Sequence, residues 1–142
     1  MQQEKCGLLI HQIHNFLEKS GNNQLKKKGL TFSQMNVLIN LINAPERKLS
    51  FKELEKRLTL AQSTTVGLIS RLEQKELVAV SEDSEDKRIK FVEISPLGIQ
   101  YCRDAETEME QTEIELLSSL SENEKEAFCL LLQKINESFQ KK

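Results

Sequence analysis

The chain has no tryptophan, one tyrosine, two prolines and five glycines in 142 residues. Proline and glycine are too scarce to mark a long linker, so one domain is expected over residues 1–142. No apolar run approaches the roughly 20 residues that a membrane-spanning helix needs. The N-terminus also lacks the basic and then apolar segments of a secretory signal. These absences predict a cytoplasmic protein with no membrane partner.

Cysteine and histidine are too sparse for most of the sites that they build. The three cysteines are far apart and form neither a disulfide framework nor a CxxC pair. Cys102 and Cys129 lie on apolar helical stripes and are expected in the core. His11 and His14, one helical turn apart, could share a metal ion with Cys6 or a carboxylate, but such a pair is more often found at an interface. With no Ser/His/Asp spacing and no phosphate-binding loop, we expect no enzyme, no metal and no cofactor.

The net charge of -2 argues at first against a nucleic-acid partner. Its distribution is uneven, however: residues 1–90 hold 15 basic and 11 acidic side chains, a balance of +4, whereas residues 91–142 hold 5 and 11, a balance of -6. Binding depends on the local field at the contact surface and not on the total charge. The charge pattern therefore permits DNA binding by the first part of the chain.

The stretch from Ser50 to Gly98 has the element order of a DNA-binding unit. It opens with a capping box, in which the Ser50 and Glu53 side chains bond to the first free N–H groups of a helix. The predicted elements are a helix over 51–58, a turn over 59–61, a helix over 62–76, strands over 77–80 and 89–92 around a loop over 83–88, and a helix start at Ser95-Pro96. In such an arrangement the second helix fills the major groove and the ribbon reaches sideways. The sequence therefore predicts a DNA-binding protein.

Four further helices are predicted outside this stretch. The first runs from Cys6 to about Lys19 and ends at Gly21-Asn22-Asn23, which places Lys26-Lys27-Lys28 in a loop that could graze the DNA backbone. The others begin at a capping box at Thr31–Gln34, at Pro96 and at a capping box at Ser121–Glu124. Their apolar stripes include Met35, Leu38, Leu41 and Ile42 in the second, Cys102, Ala105, Met109, Leu116 and Leu117 in the third, and Phe128, Leu131, Leu132, Ile135 and Phe139 in the last.

The terminal stripes are too extensive for a winged domain of about 65 residues to cover. Pairing these helices with their copies in a second subunit would bury them, and a twofold homodimer is predicted. A monomeric helical subdomain is the alternative. The predicted fold is mostly α with a small β-wing: a winged helix-turn-helix lobe over 30–95, and a helical dimerisation region over 1–20 and 96–142.

The second helix of the predicted helix-turn-helix presents small and polar side chains outward. With Thr65, Leu68, Ile69 and Leu72 facing the core, the outward arc is Gln62, Ser63, Val66, Gly67, Ser70 and Gln74. A glutamine can bond bidentately to adenine, and a valine can touch a thymine methyl group. Thr64 and Arg71 lie at the margins of the arc and suit phosphates. The alternative for Ser63 is a capping role at the helix start.

The loop tip Lys87-Arg88 is the second predicted DNA contact. An arginine at a ribbon tip can enter a narrow minor groove, where the negative potential is concentrated. Asp86 would repel phosphates unless it held a neighbouring cation, and Arg71 or Arg88 could be that cation. We therefore expect Asp86 to orient the wing. An ordinary charged hairpin turn is the alternative for residues 82–85.

This pattern resembles the MarR family of bacterial winged-helix transcription regulators over nearly the whole chain. The carriers are Leu30-Thr31-x-x-Gln34-x-x-Val37-Leu38, Ser63-Thr64-Thr65, Arg71-Leu72-Glu73-x-Lys75, Leu77-Val78, Asp86-Lys87-Arg88 and Ile94-Ser95-x-x-Gly98. The resemblance implies a triangular homodimer with an interface of terminal helices. It also implies a double-stranded, pseudo-palindromic operator and, in many members, DNA release by a small ligand or an oxidant.

The chain departs from the family pattern at four positions. Members usually carry a polar cap where Ala61 lies, a basic residue at Gly67, glycine at Glu76 and arginine at Val80. These departures affect operator affinity and not the fold. Gly67, the missing arginine at Val80 and the net acidity are the basis of the alternative function, a winged-helix module that docks on another protein and does not bind DNA.

The resemblance also suggests where an effector could act. The position of Cys6 in the first helix is similar to that of the sensing cysteine in thiol-based peroxide sensors of the family. The first helix lacks the tyrosines that such sensors carry, and an inert terminal or interface cysteine is the alternative. His11 and His14 could line the ligand cleft that the family has between its interface and DNA-binding lobes.

Overall fold

The computed structural model describes residues 5–141. Within these residues, six α-helices and three strands follow one another: α1 (Cys6–Lys28), α2 (Phe32–Ile42), β1 (Lys48–Ser50), α3 (Phe51–Leu58), α4 (Gln62–Gln74), β2 (Val78–Glu82), β3 (Lys90–Ile94), α5 (Pro96–Leu116) and α6 (Glu122–Gln140). The chain divides into two compact units, and the boundary lies within α5, between Glu108 and Met109. The predicted fold class, mostly α with a small β-wing, is confirmed. Residues 1–4 and 142 of the predicted domain lie outside the described residues.

The core of the first unit joins α2, α3 and α4 to the sheet. Leu38 and Leu41 of α2, Leu54 of α3 and Leu72 of α4 have no exposed surface, and Val92 of β3 closes the core from the sheet side. The inward faces predicted from the helical spacing of α2 and α4 are therefore confirmed. Burying one such side chain contributes about 1.5–3 kcal/mol, so these residues hold the helix pair against the sheet.

Three helices start with the capping boxes that the sequence predicts. In each box the hydroxyl accepts from the N–H three residues later, at 3.1–3.2 Å, and the acidic or amide side chain accepts from the N–H of the capping residue, at 2.9–3.1 Å. Each box satisfies two N–H groups that would otherwise lack a partner, which fixes the start of the helix. The three pairs are Thr31 with Gln34, Ser50 with Glu53, and Ser121 with Glu124.

The first helix is longer than predicted. α1 continues through Gly21-Asn22-Asn23 and ends at Gly29, which has the left-handed φ of 72° typical of a helix C-cap. Leu25 packs against the core and holds the extra turns in place. An interior glycine costs a helix only about 1 kcal/mol, which this packing offsets. The predicted loop with Lys26-Lys27-Lys28 is therefore wrong. The three lysines form the last turn of α1, where their positive charges interact favourably with the negative end of the helix dipole.

The sheet contains one strand that the sequence analysis missed. The antiparallel order is β1-β3-β2, and β1 pairs with β3 through Lys48↔Glu93, Leu49↔Val92 and Ser50↔Phe91. A strand of three residues is too short to show an alternation of apolar and polar side chains. The two predicted strands are present; each begins one residue later than predicted and continues two residues beyond its predicted C-terminal end.

The junction between α4 and α5 is held by Ser95. Its hydroxyl donates to the Glu76 carbonyl oxygen (2.7 Å) and accepts from the Gly98 N–H (3.0 Å), while its own N–H donates to the Leu77 carbonyl oxygen (3.0 Å). Ser95 thus caps α5 and fastens that helix to the end of α4. Farther along α5, the half-buried Ile99, Tyr101, Cys102 and Ala105 pack against the core.

Glu76 occupies a left-handed backbone conformation, with φ of 62°. This conformation costs a residue with a Cβ about 1–2 kcal/mol, and glycine adopts it without strain. We expect Glu76→Gly to raise the free energy of unfolding by about 0.5–1 kcal/mol, measured by urea denaturation. Glu73→Gly is the control, because Glu73 lies within α4 and loses about 1 kcal/mol of helix propensity. A Glu76→Gly protein less stable than the wild type would contradict this assignment.

Apolar side chains are exposed on both terminal helices. In the first unit they are on α1, and in the second unit they are on α6. Met109 of α5 is 71% exposed, and Cys129 of α6 is exposed as well. The predicted inward position of Met109 and the predicted core position of Cys129 are therefore wrong for this chain. Helical spacing assigns residues to one face of a helix, but it does not show whether other residues cover that face. The exposed apolar residues are Leu8, Leu9, Ile10, Ile13 and Phe16 on α1 and Leu130, Leu131, Leu132, Ile135 and Phe139 on α6.

Within residues 5–141, no helix has both the length and the apolar character needed to cross a membrane.

Candidate nucleic-acid interface

The exposed face of α4 carries the side chains predicted to contact DNA. Thr65, Leu68, Ile69 and Leu72 are buried, as the spacing predicts, and the remaining positions face outward. Val66 is 43% exposed. Gly67 is half-buried and the other predicted DNA contacts on this helix are exposed: Gln62, Ser63, Thr64, Ser70 and Arg71. The helix thus offers a narrow surface of small side chains, which can approach base edges closely.

The start of α4 has no side-chain cap. The N-cap residue is Ala61, whose methyl group accepts no hydrogen bond. Ser63 is the second residue of α4 and not its N-cap residue, so the alternative capping role of Ser63 is wrong. The first N–H groups of α4 therefore have no side-chain acceptor from the cap position, and such groups favour a phosphate oxygen.

The loop between β2 and β3 is an internally bonded turn. The Asp83 carboxylate accepts from the N–H groups of Glu85 (3.2 Å) and Asp86 (3.1 Å). The backbone closes the turn, because the Asp83 N–H donates to the Ile89 carbonyl oxygen (2.9 Å) and the Ile89 N–H donates to that of Asp86 (3.0 Å). The ordinary charged turn was expected over residues 82–85; Glu82 instead ends β2, and residues 83–85 form the turn. This turn places Asp86 and Arg88 at the wing tip.

Asp86 holds Arg88 in a bidentate ion pair. The Arg88 Nε and Nη2 atoms donate to the two Asp86 carboxylate oxygens, each at 3.1 Å, and the Arg88 backbone N–H donates at 3.0 Å. The cation beside Asp86 is therefore Arg88, one of the two candidates, and not Arg71. The Arg88 side chain nevertheless remains 91% exposed. The pair orients the guanidinium group and leaves its outer face accessible.

Arg88 also keeps Asp86 ionised. The hydrogen bond from the Arg88 side chain lowers the pKa of the Asp86 carboxyl, and the bond from the Arg88 backbone N–H lowers it further, against a smaller opposing effect of burial. A lowered carboxyl pKa means that the ion pair is fully present above the pKa of the unfolded chain. The pair is lost as the pH falls through the lower pKa of the folded state. The Asp86–Arg88 ion pair is therefore retained to a lower pH than an ordinary aspartate would allow.

This pKa can be measured directly. We expect the carboxyl ¹³C resonance of Asp86 to titrate at a lower pH in the wild-type protein than in Arg88→Met, because the variant loses the side-chain hydrogen bonds. Carboxyl resonances outside the wing are the internal control and should titrate identically in both proteins. Equal Asp86 midpoints would show that the ion pair does not form in solution.

A cleft of about 670 Å³ separates the wing from α3 and α4. Gln62 and Val66 of α4 line one wall, and Asp86 and Arg88 of the wing line the other. The cleft therefore brings together both predicted sets of DNA contacts. Ser63, Thr64, Gly67, Ser70, Arg71 and Lys87 do not line it, although they belong to the same α4 face and wing tip. The remaining lining residues are Ser50, Phe51, Lys52, Glu55, Ile89 and Lys90.

Lys52 and Lys90 were missed by the sequence analysis. Lys52 lies in the first turn of α3 and Lys90 begins β3, and both side chains add positive charge to the cleft. The basic composition of residues 1–90 indicates such charges in general. Only the pairing of β1 with β3, which places the wing beside α3, identifies these two lysines.

The predicted effector residues lie on α1. Cys6 is its first residue and is exposed, and His11 and His14 are exposed one turn apart. His14 Nε2 lies 3.5 Å from a carboxylate oxygen of Glu18. Among residues 5–141, no three histidine, cysteine or acidic side chains are grouped as a metal site. Cys102 packs against the core as predicted, and burial raises the pKa of its thiol.

Comparisons with known proteins agree with this geometry. Residues 28–89 match the MarR family model. The uncharacterised HTH-type transcriptional regulator YwoH of Bacillus subtilis is 32% identical over 126 residues, which cover 87% of this chain and 90% of YwoH. The HTH-type transcriptional regulator MhqR of the same species is 24% identical over 131 residues, covering 92% of this chain and 89% of MhqR. The S. aureus MepR–DNA complex superposes with a TM-score of 0.81 at 25% identity, covering 94% of this chain and 98% of that chain.

Proposed function

The chain belongs to the MarR family of transcriptional regulators, and from this membership we propose that it is a homodimeric repressor that binds a pseudo-palindromic operator. The family and the named relatives are regulators and not enzymes. The observation that carries the proposal is the cleft in which the exposed face of α4 and the Asp86–Arg88 pair form opposite walls. A duplex can place its major groove on α4 while the adjacent minor groove meets the wing.

In this proposal α4 supplies the base contacts. Gln62 can bond bidentately to adenine, Val66 can contact a thymine methyl group, and Ser70 can serve a base or a phosphate. Thr64 and Arg71 flank these side chains and bind phosphates. Gly67 offers no side chain for a contact, so the helix backbone comes closer to the groove floor at this point.

The wing supplies the second contact. The exposed guanidinium of Arg88 enters the minor groove, and Lys87, Lys90 and Lys52 neutralise neighbouring phosphates. Because the Asp86 carboxylate already orients the guanidinium, less conformational freedom is lost on binding than for a mobile arginine. That S. aureus MepR, which has a similar fold, forms a complex with DNA supports DNA as the partner.

The exposed apolar stripes support a dimer. Monomeric soluble proteins rarely leave so many apolar side chains exposed along a helix, and a second copy can cover the stripe of α1 and the stripe of α6. A twofold dimer presents two copies of α4, which requires an operator with twofold symmetry. Release by a small ligand or an oxidant belongs to the same proposal, with Cys6, His11 and His14 on α1 as the residues to vary first.

Selection of bound DNA tests the proposal. Purified protein is incubated with fragments of the host genome, and the retained fragments are sequenced and compared with the input. We expect enrichment of a motif with twofold symmetry, a dimer by sedimentation and a log-linear loss of affinity with salt concentration. Retention of no motif, with no salt dependence, would favour the alternative of a protein-docking module.

A further inference from the structure

We propose that Lys75 and Lys28 are positioning residues that fix the orientation of α4, the helix proposed to contact bases. Lys75 bonds the end of α4 to the end of α1, and Lys28 bonds that end of α1 to α5. This inference rests on the proposed DNA-binding function. It assigns a role to the lysine of the Arg71-Leu72-Glu73-x-Lys75 motif, which lines no part of the cleft.

Lys75 connects the end of α4 to the junction between α1 and α2. It is the C-cap residue of α4, and its ammonium group donates to the Gly29 carbonyl oxygen and to Gln34 Oε1, the latter at 3.2 Å. Gln34 is only 5% exposed, and the same Oε1 atom accepts from the Thr31 N–H in the capping box of α2. The lysine therefore bonds to two acceptors whose own positions are fixed by helix ends.

Lys28 connects the same junction to α5. Its ammonium group donates to both carboxylate oxygens of Glu108, and its side chain is only 11% exposed. Gly29, which follows directly, carries the carbonyl group that Lys75 bonds. Two consecutive residues at the end of α1 are thus bonded in different directions, one to α5 and the other to α4.

The bonds of Lys75, which is exposed, act on orientation more than on stability. An exposed lysine gains little net free energy from such contacts, because holding its long side chain still costs entropy. Hydrogen bonds to base edges, in contrast, weaken steeply with small changes of distance and angle. A small tilt of α4 therefore lowers operator affinity more than it lowers stability. Because the Lys75 ammonium is occupied by Gly29 and Gln34, it contributes by this route and not as a phosphate contact.

The test compares variants of the full-length protein on two DNA probes. The specific probe is a 30-base-pair duplex enriched by the wild-type protein from a random pool, and the second is a mixed-sequence duplex of equal length. We expect Lys75→Met and Lys28→Met to bind the specific probe about tenfold more weakly, with unchanged affinity for the mixed probe. Lys75→Arg, which keeps a long cationic donor, should restore specific affinity. Lys27→Met is the control, since Lys27 is an exposed lysine in the same helical turn as Lys28.

The salt dependence separates positioning from direct contact. If Lys75→Met leaves the slope of log affinity against log salt unchanged, no phosphate contact has been lost. A slope reduced by about 0.9, with weaker binding to both probes, would overturn the inference and make Lys75 a phosphate ligand. Wild-type affinity of Lys75→Met for the specific probe would overturn it as well.

Hydrogen exchange of the DNA-free protein distinguishes this inference from the proposed function. Lys75→Met should raise the exchange rates of the amides in the last turn of α4, and Lys27→Met should not. If the wild-type protein enriches no duplex, the proposed function fails and this measurement still decides whether Lys75 holds α4. Unchanged exchange in Lys75→Met would overturn the positioning role.

Discussion

Replacing Gly98 with alanine is expected to lower the free energy of unfolding by about 3 kcal/mol or more. A Cβ atom on Gly98 would lie 2.4 Å from the Leu77 carbonyl oxygen and 2.7 Å from Ile94 Cγ1. The carbonyl oxygen belongs to the backbone and already accepts the Ser95 N–H, so it cannot move without breaking that bond. The new methyl group would therefore separate the start of α5 from the end of α4. Urea denaturation followed by circular dichroism measures the effect.

Gly21→Ala is the matched control for this substitution. Gly21 also lies within a helix, but a Cβ at this position meets no atom within 4 Å. Alanine here should raise stability by about 0.5–1 kcal/mol, because it relieves the entropic cost of an interior glycine. The two glycine variants are thus expected to change stability in opposite directions. A Gly98→Ala protein as stable as the wild type would show that α5 does not pack closely on Leu77.

Arg88→Ala is expected to weaken operator binding by about 10- to 100-fold, the 1–3 kcal/mol typical of a specific arginine contact. Two effects combine. The substitution removes the exposed cation at the wing tip, and it leaves the Asp86 carboxylate without its partner on a surface proposed to face phosphates. Fluorescence anisotropy on the selected duplex at several salt concentrations measures the change.

A second variant separates the two effects. In the double variant Asp86→Asn with Arg88→Ala the unpaired carboxylate is absent, and part of the lost affinity should return. Arg103→Ala is the control, because Arg103 is an exposed arginine on α5 that does not line the cleft. The thermal unfolding temperature of all three proteins should remain close to that of the wild type. Full operator affinity of Arg88→Ala would remove the wing from the mechanism.

The parts of the fold determined by local chemistry could be predicted from the sequence. The inward face of α4 follows from the spacing of Thr65, Leu68 and Ile69, and each predicted capping box is present because both of its bonds form within four residues. The cation that pairs with Asp86 could be narrowed to Arg71 or Arg88. The one that forms the pair, Arg88, is the candidate closer in sequence.

Features that depend on tertiary contacts were wrong or missed. The first helix was predicted to end at Gly21, but α1 continues for two further turns because Leu25 packs against the core. Cys129 lies on an apolar stripe, as predicted, but the spacing does not show whether the chain itself covers that stripe. Local sequence decides which face of a helix is apolar, and only the assembled fold decides what lies against that face.

The candidate interface likewise contains residues that local sequence predicts and residues that only tertiary contacts place. The outward position of Gln62 and Ser70 could be predicted from helical periodicity. Lys52 could not, because its place in the cleft depends on the pairing of β1 with β3 across more than forty residues. The bond from Lys75 to the Gly29 carbonyl oxygen also joins residues far apart in the sequence. The roles of Gln62, Ser70 and Lys52 as DNA contacts, and of Lys75 as a positioning residue, stay predictions that the binding experiments test.

Tyr101 has a practical consequence for all of these measurements. As the one tyrosine in a chain without tryptophan, its ring is the dominant source of intrinsic ultraviolet fluorescence. The ring packs, half-buried, where α5 lies on the core of the first unit. Its emission therefore reports the docking of this helix segment, whereas events on α6 produce no signal from an aromatic ring of comparable brightness. Because the protein emits weakly above 320 nm, an added tryptophan or a dye on the DNA can be observed with little background.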